Sequence, residues 1–149
     1  MSLTAANIVH ALRNDLGPVD VVEAHGDFYF FRDPQDGKPV DHMFPFTTLV
    51  TDDKHDAFSN LNRPGVYRLN VGVSRETYLS LFGEQKLTPD ENSVAARGYD
   101  FAALDTILPH PVYGRMWWIC VLSPSEGTFA RVRPLLAEAY TKAAARSAK

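Results

Sequence analysis

The chain has a single cysteine, Cys120, in 149 residues. That excludes an intrachain disulfide and any zinc or redox motif built on paired cysteines. Cys120 lies in an apolar run, where a thiol behaves as a small hydrophobe rather than a nucleophile. No apolar run approaches the roughly 20 residues of a membrane span, and the N-terminus lacks a basic stretch followed by an apolar signal core. No membrane partner is therefore expected, and the expected location is the cytoplasm. Positive charge is not in excess: 15 Lys and Arg against 18 Asp and Glu leave a formal charge of −3. General attraction to nucleic acid or anionic lipid does not follow, although a local basic patch stays open. Gly-rich phosphate loops, a G-x-S-x-G elbow and HExxH are all missing, and no cofactor is implied. These absences count against the common enzyme classes but leave open a site assembled from distant residues. No internal repeat, low-complexity tract or linker interrupts the chain, so one domain over residues 1–149 is expected.

What is present is ordered around residues 117–122, WWICVL, a run bounded by Gly114 on one side and Ser123-Pro124 on the other. Its length and its Ile, Val and Trp content predict a strand covered on both faces. Trp117, Ile119 and Val121 then point one way, and Trp118, Cys120 and Leu122 the other.

Upstream, residues 4–16 carry Ile8, Val9, Leu12 and Leu16 at helical spacing, stopped by Gly17-Pro18. Residues 19–24 and 27–31 read as a hairpin joined at His25-Gly26, and residues 46–51 as a third strand. Residues 66–73 alternate strictly, with Val66, Arg68, Asn70 and Gly72 on one face and Tyr67, Leu69, Val71 and Val73 on the other. That pattern predicts a half-solvated antiparallel strand. Ser74 caps a short helix ending at Gly83, Thr88-Pro89-Asp90-Glu91 has capping-box form, and Asp100 opens a helical turn over residues 101–105. Ser123-Pro124-Ser125-Glu126 again has capping-box form and starts a last helix. Its apolar stripe is Phe129, Val132, Leu136, Ala139, Tyr140 and Ala143, with a kink or a separate first turn expected at Pro134. The fold expected is α+β: an antiparallel sheet of about five strands with the N- and C-terminal helices on one face. Trp117 and Tyr140 are expected in its core or at a pocket rim.

This order, with residues 66–73, the strand at 117–122 and Leu135-Leu136-Ala137-Glu138-Ala139-Tyr140, resembles the MmcQ/YjbR-like family, which shares the frataxin-type (CyaY-like) architecture. His110-Pro111-Val112-Tyr113-Gly114 followed by residues 118–124 also resembles the signature of a bacterial domain family of unknown function. The MmcQ/YjbR-like resemblance implies DNA binding through a double-wing arrangement. Iron binding, which frataxins perform with an acidic first helix, is not implied, because residues 4–16 carry one acid, Asp15, against Arg13.

His110, held between two prolines, heads the candidate ligand site, with Tyr113, Arg115 and Trp118 near in sequence and Arg68 and Asn70 from the alternating strand. Imidazole can act as acid, base or ligand near neutral pH. The plainer reading is a histidine that fixes the approach to the Trp strand by bonding to backbone. Arg63 and Arg75 are candidates to join Arg68 and Asn70 around an anionic small molecule; on the plainer reading these are solubilising side chains. His55 lies among Asp52, Asp53 and Asp56, but the spacing fits no known cation loop and no metal is expected. His25 and His42 read as surface residues. Arg131, Lys142, Arg146 and Lys149 fall on one side of an ideal helix, a candidate nucleic-acid contact or simply a solvated face favoured by the helix dipole. The function expected is a non-catalytic binding or regulatory module. The alternatives are an enzyme or small-ligand binder using His110, and a homo-oligomer built on aromatic surface at residues 28–31 or 44–46.

Overall fold

The computed structural model describes residues 3–83 and 99–147, with side chains as far as residue 144. The first helix, α1, spans Ala5–Asp15. Thr4 caps it reciprocally with Asn7: the Thr4 hydroxyl accepts from the Asn7 N–H, and the Asn7 side chain accepts from the Thr4 N–H. Strands β1 (Val19–Ala24) and β2 (Asp27–Arg32) form the expected hairpin. Both loop residues have positive φ, 54° at His25 and 87° at Gly26, as a type I′ turn requires. Strand β3 is Thr47–Val50, β4 is Arg68–Gly72, β5 is Ile107–Pro109 and β6 is Trp118–Leu122. Helix α2 (Arg75–Phe82), capped by Ser74, follows β4, and α3 (Glu126–Ser147) follows β6.

The six strands make one antiparallel sheet in the order β1-β2-β3-β4-β6-β5. The expectation of about five is corrected by β5, a three-residue strand too short and too proline-bound to show an alternation. It pairs Leu108 with Cys120 and Pro109 with Ile119. Helices α1 and α3 bury one face of the sheet: Ile8 and Leu12, and Phe129, Val132, Leu136 and Ala139, meet Phe30, Leu49, Leu69, Val71, Ile119 and Val121. Each of these is 2% exposed or less, and burying such a side chain contributes about 1.5–3 kcal/mol.

Three local expectations need correcting. Residues 101–105 form a turn rather than a helix, with Asp100 accepting from the Ala102 N–H. The last helix is capped by Ser125, whose hydroxyl accepts from the Thr128 N–H. Ser123, two residues earlier, instead accepts from the Tyr67 N–H and so fastens the end of β6 to the start of β4. Finally, of the two expectations at Pro134 the separate first turn is the one overturned: α3 runs through the proline as one helix. Tertiary packing of Phe129, Val132 and Leu136 on either side of the proline offsets its missing N–H. The capping box at residues 88–91 lies outside the described residues.

The alternation of β4 is as read, but its polar face is not solvated. All five residues are buried, Arg68 to 2% and Asn70 to 3% exposure. The reason is position: β4 is central, and residues 51–62 and 110–117 fold over the face that α1 and α3 leave uncovered.

Candidate functional site

The covered face holds a cavity of about 980 Å³. Its floor comes from alternate residues of neighbouring strands, Tyr29, Thr48, Arg68, Asn70 and Trp118, which antiparallel register brings side by side. Its walls are Phe44 and Pro45 from the β2–β3 connection, His55 and Asp56 from the β3–β4 connection, and His110, Val112, Tyr113 and Met116 from the β5–β6 connection. Phe44, Tyr113 and Met116 are 58%, 50% and 60% exposed and form the rim. Ala139 and Lys142 of α3 close one end, where Lys142 Nζ donates to the Val73 carbonyl at 2.7 Å.

Arg68 organises the floor. Its guanidinium donates to both Asp56 oxygens, at 3.0 and 2.8 Å, to Ser59 Oγ at 2.9 Å and to Asn70 Oδ1 at 2.9 Å. Asn70 in turn donates to Thr48 Oγ1 at 3.0 Å. Asp56 reaches this position because its loop is held by acidic side chains that accept from backbone N–H groups: Asp52 from Lys54, Asp53 from Leu61, Asp56 from Phe58. Burial alone would raise the Asp56 pKa. The Arg68 hydrogen bonds and charge, with smaller help from His110 and the Phe58 N–H, outweigh it and hold the carboxyl below its ordinary value.

His110 is 2% exposed and lines the cavity. Its Nδ1 accepts from the N–H groups of Val112 and Tyr113, each at 3.0 Å. A nitrogen that accepts two N–H groups carries no proton, so the ring is the neutral Nε2–H tautomer. That Nε2–H has no acceptor among the described residues. Burial, reinforced by Arg68 and only partly countered by Asp56, lowers the pKa to about 3. His110 is therefore expected not to titrate between pH 5 and 8. Its folded value lies below the unfolded one of about 6.5, so its contribution to stability is complete above that pH and declines as pH falls towards 3. Ring ¹⁵N shifts across pH 5 to 8 check this; a normal titration of His110 would refute it.

A second polar group borders the cavity. Asp27, fully buried, accepts from the Thr51 N–H at 2.9 Å, from Lys54 Nζ at 3.0 Å and from His55 Nε2 at 2.9 Å. This accounts for His55 without a metal. The acids that surround it in sequence are dispersed to other partners, and among the described residues no group of three or more His, Cys, Asp or Glu could hold an ion.

Trp118 is set by close approach of backbone. An added Cβ on Gly72 would lie 2.9 Å from Trp118 Cε2, so the indole packs directly over that glycine. Gly72→Ala is expected to push the ring into the cavity and cost about 1–3 kcal/mol. Denaturant melts and tryptophan fluorescence read this out; unchanged stability with an unchanged spectrum would refute it.

The structure thus brings together five of the six candidate ligand-site residues, His110, Tyr113, Arg68, Asn70 and Trp118. The sixth, Arg115, is exposed on the 3₁₀ turn Gly114–Met116 and does not line the cavity. Arg63 and Arg75 are also elsewhere: Arg63 bonds the Ser59, Asn60 and Ala102 carbonyls, and Arg75 stacks over Trp117 at 5.8 Å. Trp117 is half-buried against Tyr78, outside the cavity. Cys120 is fully buried, and burial pushes its thiol up to about 12. Of the aromatic surfaces considered for self-association, Phe30, Phe31 and Phe46 are buried within the chain, leaving Phe44 as the exposed phenylalanine. Tyr29, His55, Asp56 and Thr48 were not legible as site residues, because only strand register and the fold of residues 51–62 place them there.

An α+β domain on one antiparallel sheet, with helices on one face and an open cavity of apolar walls and a few polar groups on the other, is the class these features define. Residues 3–149 match the model of a family of unknown function, DUF6194, and the chain belongs to that family. No curated protein and no solved structure matches it.

Proposed function

We propose that this chain works as a single cytoplasmic domain that binds a small molecule in the cavity over β2, β3, β4 and β6, as a sensing or carrier module rather than a catalyst. The observation that carries this reading is His110: a residue 2% exposed that lines a cavity of about 980 Å³ and whose Nε2–H has no acceptor among the described residues. A donor at a cavity wall with no protein acceptor is available to an occupant that brings one. The cavity volume lies in the range of ordinary ligand sites, and its mix of apolar walls with a few convergent polar groups is typical of them.

The DNA-binding alternative inherited from the MmcQ/YjbR-like likeness has less behind it. Arg131 is exposed, but Lys142 Nζ donates to the Val73 carbonyl. The side chain of Arg146 and all of Lys149 lie outside the described residues. A small-molecule library followed by amide NMR tests the reading. Compounds that move the signals of Thr48, Gly72, His110 and Trp118 together support it. A diverse library that moves none of them refutes it.

A further inference from the structure

We propose that the cavity selects an uncharged aromatic carbonyl compound, a planar ring system bearing a ketone, quinone or amide oxygen; this rests on the small-molecule reading above. Donors are left over at its lining residues. His110 carries Nε2–H, and the Thr48 hydroxyl, already accepting from Asn70, has its own hydrogen to give. Neither has an acceptor among the described residues. The strong acceptors of the floor are already engaged: both Asp56 oxygens and Asn70 Oδ1 accept from Arg68. A matching ligand therefore brings acceptors, and a carbonyl oxygen has two lone pairs to offer such donors.

Charge decides between a carbonyl and a carboxylate. Of the charges lining the cavity, Arg68 and Asp56 cancel in a two-point ion pair, with side chains 2% and 8% exposed, and the Lys142 ammonium at the far end bonds the Val73 carbonyl. A carboxylate placed at the ion pair would lie beside Asp56, so an anion there gains little for the water it loses. The shape of the walls supplies the rest. Trp118 is locked over Gly72, and Phe44 and Tyr113 stand at the rim, giving flat apolar surfaces for a ring to stack on.

Three probes of one shape test this on the wild-type protein: 2-acetylnaphthalene, its carbon isostere 2-isopropenylnaphthalene, and 2-naphthoate. Binding is read by tryptophan fluorescence and by the amide signals of Thr48, Gly72 and Trp118. The expected result is that the ketone binds about tenfold more tightly than either of the others, with a downfield shift of the His110 Nε2–H proton. His110→Phe is expected to shrink the ketone preference to within about twofold, and His110→Met, which also lacks an N–H donor, is the fallback should the phenylalanine variant not fold. Equal or tighter binding of the hydrocarbon would overturn the donor assignment, and tighter binding of naphthoate would overturn the neutrality. If none of the three moves the cavity signals, the aromatic carbonyl class is rejected. The broader cavity reading then still stands wherever the library screen finds a binder.

Discussion

Asp56→Ala is expected to cost about 3–5 kcal/mol of folding stability, the largest effect of any single polar substitution among the described residues. The magnitude comes from what is left behind. Arg68 cannot lose its proton, and its side chain, 2% exposed on a central strand, would be left with Ser59 and Asn70 but no counter-charge. Arg68→Met removes the charge and is expected to cost less than the loss of Asp56. Combining the two substitutions should recover much of the Asp56→Ala deficit, because an apolar pair leaves no charge to desolvate. The pH dependence has a definite sign. The folded Asp56 carboxyl titrates below its ordinary value of 3.8, so its contribution is complete above about pH 4 and is lost as pH falls through the folded value. The His110 contribution declines earlier, from about pH 6.5 downwards, so acid unfolding has two separable limbs. Urea melts from pH 3 to 8 on the wild type, His110→Asn and the Asp56 variants measure both limbs. An Asp56→Ala cost below about 1 kcal/mol at pH 7 would contradict the buried-pair account.

Asp27→Ala comes second, at about 2–3 kcal/mol. Asp27 is as buried as any residue in the core, yet two of its partners reach water: the Lys54 and His55 side chains are 29% and 48% exposed. Those two can rehydrate when the carboxylate is removed, which holds the cost below that of Asp56→Ala. The Thr51 N–H loses its acceptor, and the connection after β3 loses its anchor to β2. Asp27→Asn retains an oxygen for Thr51 and is expected to recover roughly half of the loss. Because His55 is part of the cavity wall, Asp27→Ala should also broaden the amide signals of residues 52–56. Stability within 0.5 kcal/mol of wild type, with sharp signals there, would show that Asp27 does not hold this wall.

Both effects lie on residues that periodicity alone treats as ordinary. Arg68 and Asn70 alternate with Leu69 and Val71, the pattern of a strand wet on one side. The assignment of faces was right because a period of two is a property of the backbone. The assignment of solvent was wrong because exposure depends on what else the chain lays over the strand. Likewise Asp52, Asp53, His55 and Asp56 read as a solvated acidic loop, whereas each acid bonds a particular N–H, amine or guanidinium and His55 bonds the Asp27 carboxylate.

His110 could be singled out from its flanking prolines, and the plainer of its two readings is seen directly: Nδ1 bonds to backbone as a structural histidine would, in a residue that also lines the cavity. By itself, then, the sequence determined what local rules control: α1 with its Gly17-Pro18 stop, the β1–β2 hairpin, the inward stripe of α3 and the two faces of β4 and β6. The tertiary structure decided the rest: the pairing of β5 with β6, the shift of the α3 cap to Ser125, the burial of the Arg68–Asp56 pair and the cavity itself. Caps, turns and side-chain alternation are settled within a few residues of backbone. Register between distant strands and the desolvation of a charge depend on groups that only the folded chain brings within reach.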